Sequence, residues 1–209
     1  MHRGRFFYVY ASHIIYPSPI RGRNMSKELM NKKDLDRALT RMAHEIIEKN
    51  KGTSRLCLIG IQRGGVYLAQ RLAAKIQEIE KKEIPVGSLD IALYRDDLNI
   101  RKQQPVVRRT EVPFEVNDLK IVLVDDVLFT GRSIRSAMDA LMDIGRPASI
   151  QLAVLIDRGH RELPIKADYV GKNIPTSLRE TVEVQMEEEG VEDRVTIRKF
   201  ESVEGKGAE

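Results

Sequence analysis

Residues 121–133 read IVLVDDVLFTGRS. Four branched or leucine side chains run into two adjacent carboxylates, Asp125 and Asp126, and a Thr-Gly turn and a serine follow. A short, continuous apolar run of this kind predicts a strand buried on both faces. The next stretch, SIRSAMDALMDIG, predicts a helix that opens near Ser133 and is stopped by Gly145 and Pro147. A helix N-terminus offers unpaired backbone N–H groups and the positive end of a dipole, and together these hold a phosphate. Gly131 lets the backbone bend close to it, and Thr130 and Ser133 can donate hydroxyls. The two carboxylates cannot face that phosphate comfortably. They suit a neutral diol, such as the 2′ and 3′ hydroxyls of a ribose, or a metal ion. A ribose carrying a 5′-phosphate satisfies both halves of the stretch.

Apolar residues followed by two aspartates also occur in nucleoside-triphosphatases, but that reading needs G-x-x-x-x-G-K-[ST], which this chain lacks. A plain helix cap explains neither the second acid nor the Thr-Gly turn.

The remaining elements fit around this unit. Leu35, Leu39, Met42 and Ile46 form one stripe of a helix over about 34–50, with Asp34 as the expected cap and Gly52 as the stop. RLCLIGI (55–61) predicts a buried strand, broken by QRGG (62–65). VYLAQRLAAKIQEIEKKE predicts a second helix, VGSLDIALYR (86–95) a strand and SIQLAVLID (149–157) another. Residues 158–177 read as a basic loop. Apolar stretches at 182–186 and 195–197 predict a hairpin. The segment 96–119 has no sustained period, and a connection this long inside one domain is usually functional or disordered. Near-continuous apolar strands alternating with helices give an α/β fold with a mostly parallel central sheet flanked by helices. Ligands bind such sheets beyond the carboxyl ends of the strands, where strand order reverses. That singles out the loops 62–65, 94–112, 125–133 and 157–178.

The totals narrow the class. The 209 residues suit one domain. The formal charge of +4 is a local matter: residues 1–24 hold Arg3, Arg5, Arg21 and Arg23 and no acid, and without them Lys+Arg falls to 31, equal to Asp+Glu. A neutral body means that nucleic-acid affinity must come from a patch. The expected division is an extension over 1–24, read as a mis-called start with Met25 as the true one, as a targeting segment or as a disordered or docked arm, then one domain over 25–200 and a tail over 201–209. Cys57 alone forms no internal disulfide and no cysteine-based zinc site, which fits a reducing cytosol. The four histidines show no ligand spacing, so no dedicated metal cage is expected. No apolar stretch approaches the ~20 residues of a membrane span.

IVLVDDVLFTGRS resembles the phosphoribosyl-diphosphate (PRPP) signature of type I phosphoribosyltransferases, hhhhDDhhxTGxT/S. LTRMAHEIIEKNKG, GSLDIALYRDDL and SIQLAVLIDRGHRELPIKADYVGKNIPTS are similar to the PyrR family, and the likeness spans about 25–200. PyrR proteins are bacterial uracil phosphoribosyltransferases that also bind and regulate pyrimidine-operon mRNA. The resemblance implies a type I phosphoribosyltransferase-like fold with a small hood and a flexible lid loop. It implies PRPP, uracil, UMP and UTP as ligands, Mg²⁺ carried with the pyrophosphate and touching Asp125 or Asp126, a leader mRNA as partner, and a homo-oligomer of two or more copies. Asp125 and Asp126 would hold the ribose. Val127, Leu128, Phe129, Thr130, Gly131, Arg132 and Ser133 would wrap the 5′-phosphate. Arg63 and Gly64 would receive the pyrophosphate, although Arg63 stands one place earlier than in the KTRG or RTRG of many members. Arg95, Arg108 and Arg109 would lie on the lid. Leu155, Ile156, Asp157 and Arg158 would form the base-recognising hood.

For RNA, the residues alone show a basic helix face (Arg37, Arg41, His44) that reads as solvated surface, and a basic run after Asp157. The resemblance assigns Thr40, Arg41, His44 and Lys49 on the helix, and His160, Arg161, Lys166 and Lys172 after the strand, to RNA contact. Three alternatives stay open: a transferase without RNA binding, a nucleotide-sensing RNA regulator without catalysis, and a purine-specific transferase.

Overall fold

The computed structural model describes residues 25–94 and 109–199. The expected extension over 1–24, the tail over 201–209, and Arg95 and Arg108 of the expected lid lie outside the described residues.

The chain runs β1 (Met25–Asn31), α1 (Lys32–Asn50), β2 (Leu56–Ile61), α2 (Gly64–Glu80), β3 (Val86–Leu89), β4 (Lys120–Leu128), α3 (Arg132–Ile144), β5 (Ser149–Asp157), β6 (Tyr169–Asn173), β7 (Glu180–Gln185) and β8 (Arg194–Lys199). Five strands form a parallel sheet in the order β3-β2-β4-β5-β6, and three form an antiparallel sheet in the order β1-β8-β7. In the large sheet β2 leads outward to β3 on one side, and β4 leads to β5 on the other. Strand order therefore reverses between β2 and β4, and their carboxyl ends flank the crevice where such sheets bind ligands.

The apolar runs follow from burial on both faces. Leu56, Leu58, Val122, Val124, Ala153 and Leu155 pack toward α1 and α2. Their alternates Cys57, Ile59, Ile121, Leu123, Leu152 and Val154 pack toward α3. Each such aliphatic side chain contributes roughly 1.5–3 kcal/mol of burial. Burial pushes the Cys57 thiol up to about 12, which leaves it an inert packing residue.

Several expected boundaries move. Asn31, not Asp34, caps α1: its side chain accepts from the Asp34 N–H at 3.0 Å while Asp34 accepts from the Asn31 N–H, a reciprocal capping box. Lys51, in the left-handed region, ends the helix one residue before Gly52. Helix α2 starts at Gly64 rather than Val66, and α3 at Arg132 rather than Ser133. The strand expected over 86–95 is ordered as a strand only to Leu89. Beyond it Ala92 N–H donates to Asp90, and Glu111 returns to pair antiparallel with Ser88. The basic stretch after Asp157 contains β6, an edge strand too short and too polar to announce itself. The expected hairpin of β7 and β8 gains a third strand, β1.

The small sheet is fastened to α2 by charge. The Arg71 guanidinium donates to both Glu188 oxygens, at 2.7 and 2.6 Å, and to both Asp193 oxygens, at 2.7 and 2.9 Å. Asp193 is 3% exposed and also accepts from the Glu187 N–H. Burial alone would raise the Asp193 carboxyl, but Arg71 and that N–H hold it below the usual carboxylate range. Replacing Asp193 with Ala is expected to cost about 3–5 kcal/mol in chemical denaturation, the range for breaking a buried pair from one side. A lowered folded-state pKa means that this contribution is complete above the unfolded-state value and is lost as pH falls through the folded one. The gap between wild type and variant should therefore narrow in acid.

Candidate active site

Three helices allow an internal comparison. Helix α1 has a full capping box and Asp34 in its first turn. Helices α2 and α3 have neither a side-chain cap nor an acid in the first turn. Both start at the carboxyl ends of adjacent strands, β2 and β4. Unsatisfied N–H groups thus gather on both sides of one crevice, where nothing in the first turns offsets their positive field.

The acidic pair lies between them. Asp125 and Asp126 are buried at the end of β4. The Asp126 N–H donates to Asp125 Oδ1 at 3.0 Å, and the Val127 N–H donates to Asp126 Oδ1 at 2.7 Å. Burial drives the Asp126 carboxyl above the usual carboxylate range, and the Val127 hydrogen bond only partly opposes this.

The glycines of QRGG create the close approach. A Cβ on Gly65 would lie 2.2 Å from the Val124 carbonyl oxygen, and one on Gly64 would lie 2.8 Å from Asp126 Oδ2. Only bare backbone brings the start of α2 this near the acids. The Gln62–Arg63 peptide is cis, and the Gln62 N–H is bonded to the Leu89 carbonyl. Arg63 is half-buried at the helix mouth and makes no side-chain hydrogen bond or ion pair among the described residues.

Across the crevice, Gly131 has φ 92°, a left-handed conformation that turns the chain from β4 into α3. Thr130 Oγ1 accepts a long 3.4 Å hydrogen bond from the Arg132 N–H. Ser133 lies half-buried in the first turn. Among the described residues no group of three or more His, Cys, Asp or Glu could hold a metal. Two carboxylates fit a hard cation that keeps most of its ligands from water and substrate oxygens.

The expected hood residues separate. Leu155 and Ile156 are core residues of β5, at 1% and 0% exposure, so their side chains are not available to a base. Asp157 and Arg158 are the members at the strand end. Arg158 is buried and donates to Thr176 Oγ1, Ser177 O and Glu180 O, and its guanidinium lies 4.1 Å over the Phe129 ring. It joins the phosphate loop to the start of β7, a link that composition could not reveal.

Of the residues assigned to RNA, Arg41, Lys49 and Lys172 come together at one edge, where α1 meets β6. Arg41 of α1 donates to Val170 O and Gly171 O of the edge strand β6, beside Lys172. Lys49 pairs with Asp168 at 2.5 Å, and Lys172 donates to Leu29 O. The Thr40 hydroxyl is bonded to Asp36 O, and a His160 ring nitrogen lies 2.5 Å from Thr176 O. His44 and Lys166 are exposed and make no side-chain hydrogen bond or ion pair among the described residues. Arg161 is the exception, because its guanidinium is turned inward onto backbone carbonyls. Of the lid, Arg109 is described and exposed.

The two glycines give a paired test. Gly65→Ala drives a Cβ into backbone and is expected to lose about 1–3 kcal/mol of stability by overpacking. Gly64→Ala displaces the Asp126 carboxylate instead. It should keep most of the stability while weakening use of a ribose 5-phosphate ligand on the order of 10²-fold, as misplaced catalytic geometry does. Denaturant titration and ligand calorimetry on both variants separate the two effects.

The Phosphoribosyl transferase domain family matches residues 25–192. A Bifunctional protein PyrR from Pelotomaculum thermopropionicum is 62% identical over 170 residues, 81% of this chain and 94% of that relative. Those of Bacillus cereus and Listeria welshimeri are 59% and 58% identical over 163 and 177 residues, 77% and 83% of this chain and 91% and 97% of theirs. Among solved structures, a hypoxanthine phosphoribosyltransferase of Trypanosoma cruzi aligns with a TM-score of 0.65 at 18% identity, covering 87% of this chain and 95% of that one. One from Staphylococcus aureus aligns with a TM-score of 0.57 at 19% identity, covering 73% and 80%. The likeness to these structures carries the fold alone. By these matches the chain belongs to the phosphoribosyltransferase family and, within it, to the PyrR proteins.

Proposed function

We propose that the protein transfers the phosphoribosyl group of PRPP to uracil, giving UMP and pyrophosphate, and that it regulates pyrimidine-operon expression by uridine-nucleotide-dependent binding of leader mRNA. The observation that carries the catalytic half is the convergence of two uncapped, acid-free helix starts on Asp125 and Asp126.

In this reading uracil N1 bonds to the anomeric carbon as the bond from that carbon to the pyrophosphate oxygen breaks. The bonding pair leaves with pyrophosphate, and the N1 proton is lost to solvent. Asp125 and Asp126 hold the ribose hydroxyls and face the positive charge that develops on the sugar. The start of α3, with Thr130, Ser133 and the backbone of 127–133, holds the 5′-phosphate. Arg63 and the Gly64 end of α2 receive the pyrophosphate. Asp157 and Arg158 stand at the base end. Mg²⁺, held by substrate oxygens and by Asp125 or Asp126, neutralises leaving-group charge when bound. The reading assigns no general base, and catalysis rests on position and field. The lid spanning 94–112 excludes water from the activated sugar.

The regulatory half is supported by α1 and β6 lying together, so that two basic stretches share one edge. Thr40, Arg41, His44, Lys49, His160, Lys166 and Lys172 form that face. In this reading a second copy extends the face into a continuous RNA surface, and the protein acts as a homo-oligomer. No helix among the described residues is long and apolar enough to cross a membrane. The setting is the cytosol, where PRPP and mRNA are present.

Incubation with uracil, PRPP and Mg²⁺ should yield UMP, and hypoxanthine or guanine should not replace uracil. Absence of turnover with any base would leave only a nucleotide-sensing regulator. Asp126→Asn and Arg63→Ala should each lower the rate ~10²–10³-fold. Because burial raises the Asp126 carboxyl, ionising it in the folded chain costs stability as pH rises past the unfolded-state value. Asp126→Asn should therefore melt no lower than wild type at pH 8 despite its inactivity. In gel retardation with a pyrimidine-operon leader transcript, UMP should tighten binding. His44→Ala should weaken retardation and leave UMP formation intact. Equal retardation by His44→Ala and wild type would remove α1 from the RNA face.

A further inference from the structure

Arg161 is surrounded by acceptors that belong to the protein itself. Its Nε donates to Ile165 O at 3.0 Å, and its Nη1 to Phe129 O at 2.9 Å, Gly159 O at 3.1 Å and, at the limit, Leu128 O at 3.5 Å. Its Nη2 pairs with Asp157 Oδ2 at 2.5 Å, with both side chains mostly buried. The neighbouring backbone continues the pattern. The Arg158 N–H donates to Leu128 O, and the Glu162 and Leu163 N–H groups donate to Thr130 O. Leu163 and Ile165 close over Gly131, and Glu162 pairs with Arg132.

Segment 158–165 thus engages three successive carbonyls of the phosphate loop, those of Leu128, Phe129 and Thr130. In a planar trans peptide the N–H points opposite to the C=O. Turning these carbonyls outward aims the N–H groups of Phe129, Thr130 and Gly131 inward, as an anion-binding concavity requires. The middle carbonyl, that of Phe129, accepts from Arg161 at 2.9 Å. The same guanidinium fixes Gly159, Ile165 and Asp157, which flank His160 and Lys166 in sequence.

We propose that Arg161 is a positioning residue, not an RNA contact: it sets the peptides of the phosphate loop for the nucleotide 5′-phosphate and couples occupancy of that loop to the basic segment 160–166. The coupling rests on the function proposed above; the positioning role needs only a ribose 5-phosphate ligand. Coupling between two sites is reciprocal, so one residue at the joint governs how far UMP tightens RNA and how far RNA tightens UMP.

The test compares Arg161→Gln and Arg161→Lys with Lys166→Gln, an exposed neighbour outside the loop. UMP calorimetry without RNA should show affinity about tenfold or more weaker in Arg161→Gln, the scale of one charge-assisted hydrogen bond. In the uracil assay KM for PRPP should rise while KM for uracil holds. The ratio of RNA affinities with and without UMP should fall toward one. Arg161→Lys, which keeps the charge but cannot span the acceptors, should show the same pattern in milder form and serves if the Gln variant unfolds. Lys166→Gln should weaken RNA equally with and without UMP and keep both the ratio and the UMP affinity. Wild-type UMP affinity in both Arg161 variants, with RNA lost equally in both states, would overturn the proposal and make Arg161 an RNA contact. If wild-type protein retards no leader RNA, the regulatory reading and the coupling fall together, and calorimetry still decides the positioning role.

Discussion

The constraint on which the site depends is the shortage of hydrogen-bond partners at two helix starts. A helix begins with N–H groups that its own turns cannot satisfy. In α1 the protein meets that need with Asn31 and Asp34. In α2 and α3 it supplies glycine instead, on or beside the first residue, with no acid in the first turn. The unmet need is kept for ligand oxygens. Since both helices follow adjacent parallel strands across the switch point, their fields add in one crevice. In the function proposed here, Asp125 and Asp126 mark where the negative ligand groups stop and the sugar begins.

This arrangement opposes stability. A buried carboxyl whose pKa is raised costs free energy to ionise. Tight glycine contacts remove side chains that would otherwise pack and stiffen the chain. The compensation lies outside the site, in the doubly buried strands and in the Arg71–Asp193–Glu188 cluster. That cluster joins the small sheet to α2, the same helix whose first turn faces the acids. The small sheet and the start of α2 are therefore parts of one mechanical unit.

The large sheet was legible in the sequence because burial on both faces forces unbroken apolar runs, and Cys57–Ile61 and Ile121–Val124 leave no other reading. The family signature was legible because few sequences place two acids, Thr-Gly and Ser at these offsets. What escaped depends on partners distant in the chain. MSKELMN carries no apolar alternation, and β1 exists because β8 lies beside it. YVGKN is an edge strand whose carbonyls Val170 and Gly171 are met by Arg41, 129 and 130 residues away. Leu155 and Ile156 match the hood by motif, yet strand alternation within a two-faced sheet commits both side chains to the core.

Arg41, Lys49, Arg161 and Lys172 show why charge in a sequence is a poor measure of charge available to a partner. Each was assigned to RNA, and each has an acceptor within the chain. The acceptors differ in kind, and that difference orders the residues. Arg41, Lys49 and Lys172 are exposed, and an exposed pair contributes little, about 0–1 kcal/mol, so an RNA phosphate can compete for these groups. Arg161 is mostly buried and holds several carbonyls at once, and releasing it would strand those carbonyls without donors. A surface cation can change partners when RNA arrives, whereas a cation built into a loop can only transmit what the loop does. Burial thus separates the residues proposed for binding from the one proposed for coupling, a distinction that the run of charges in the sequence does not contain.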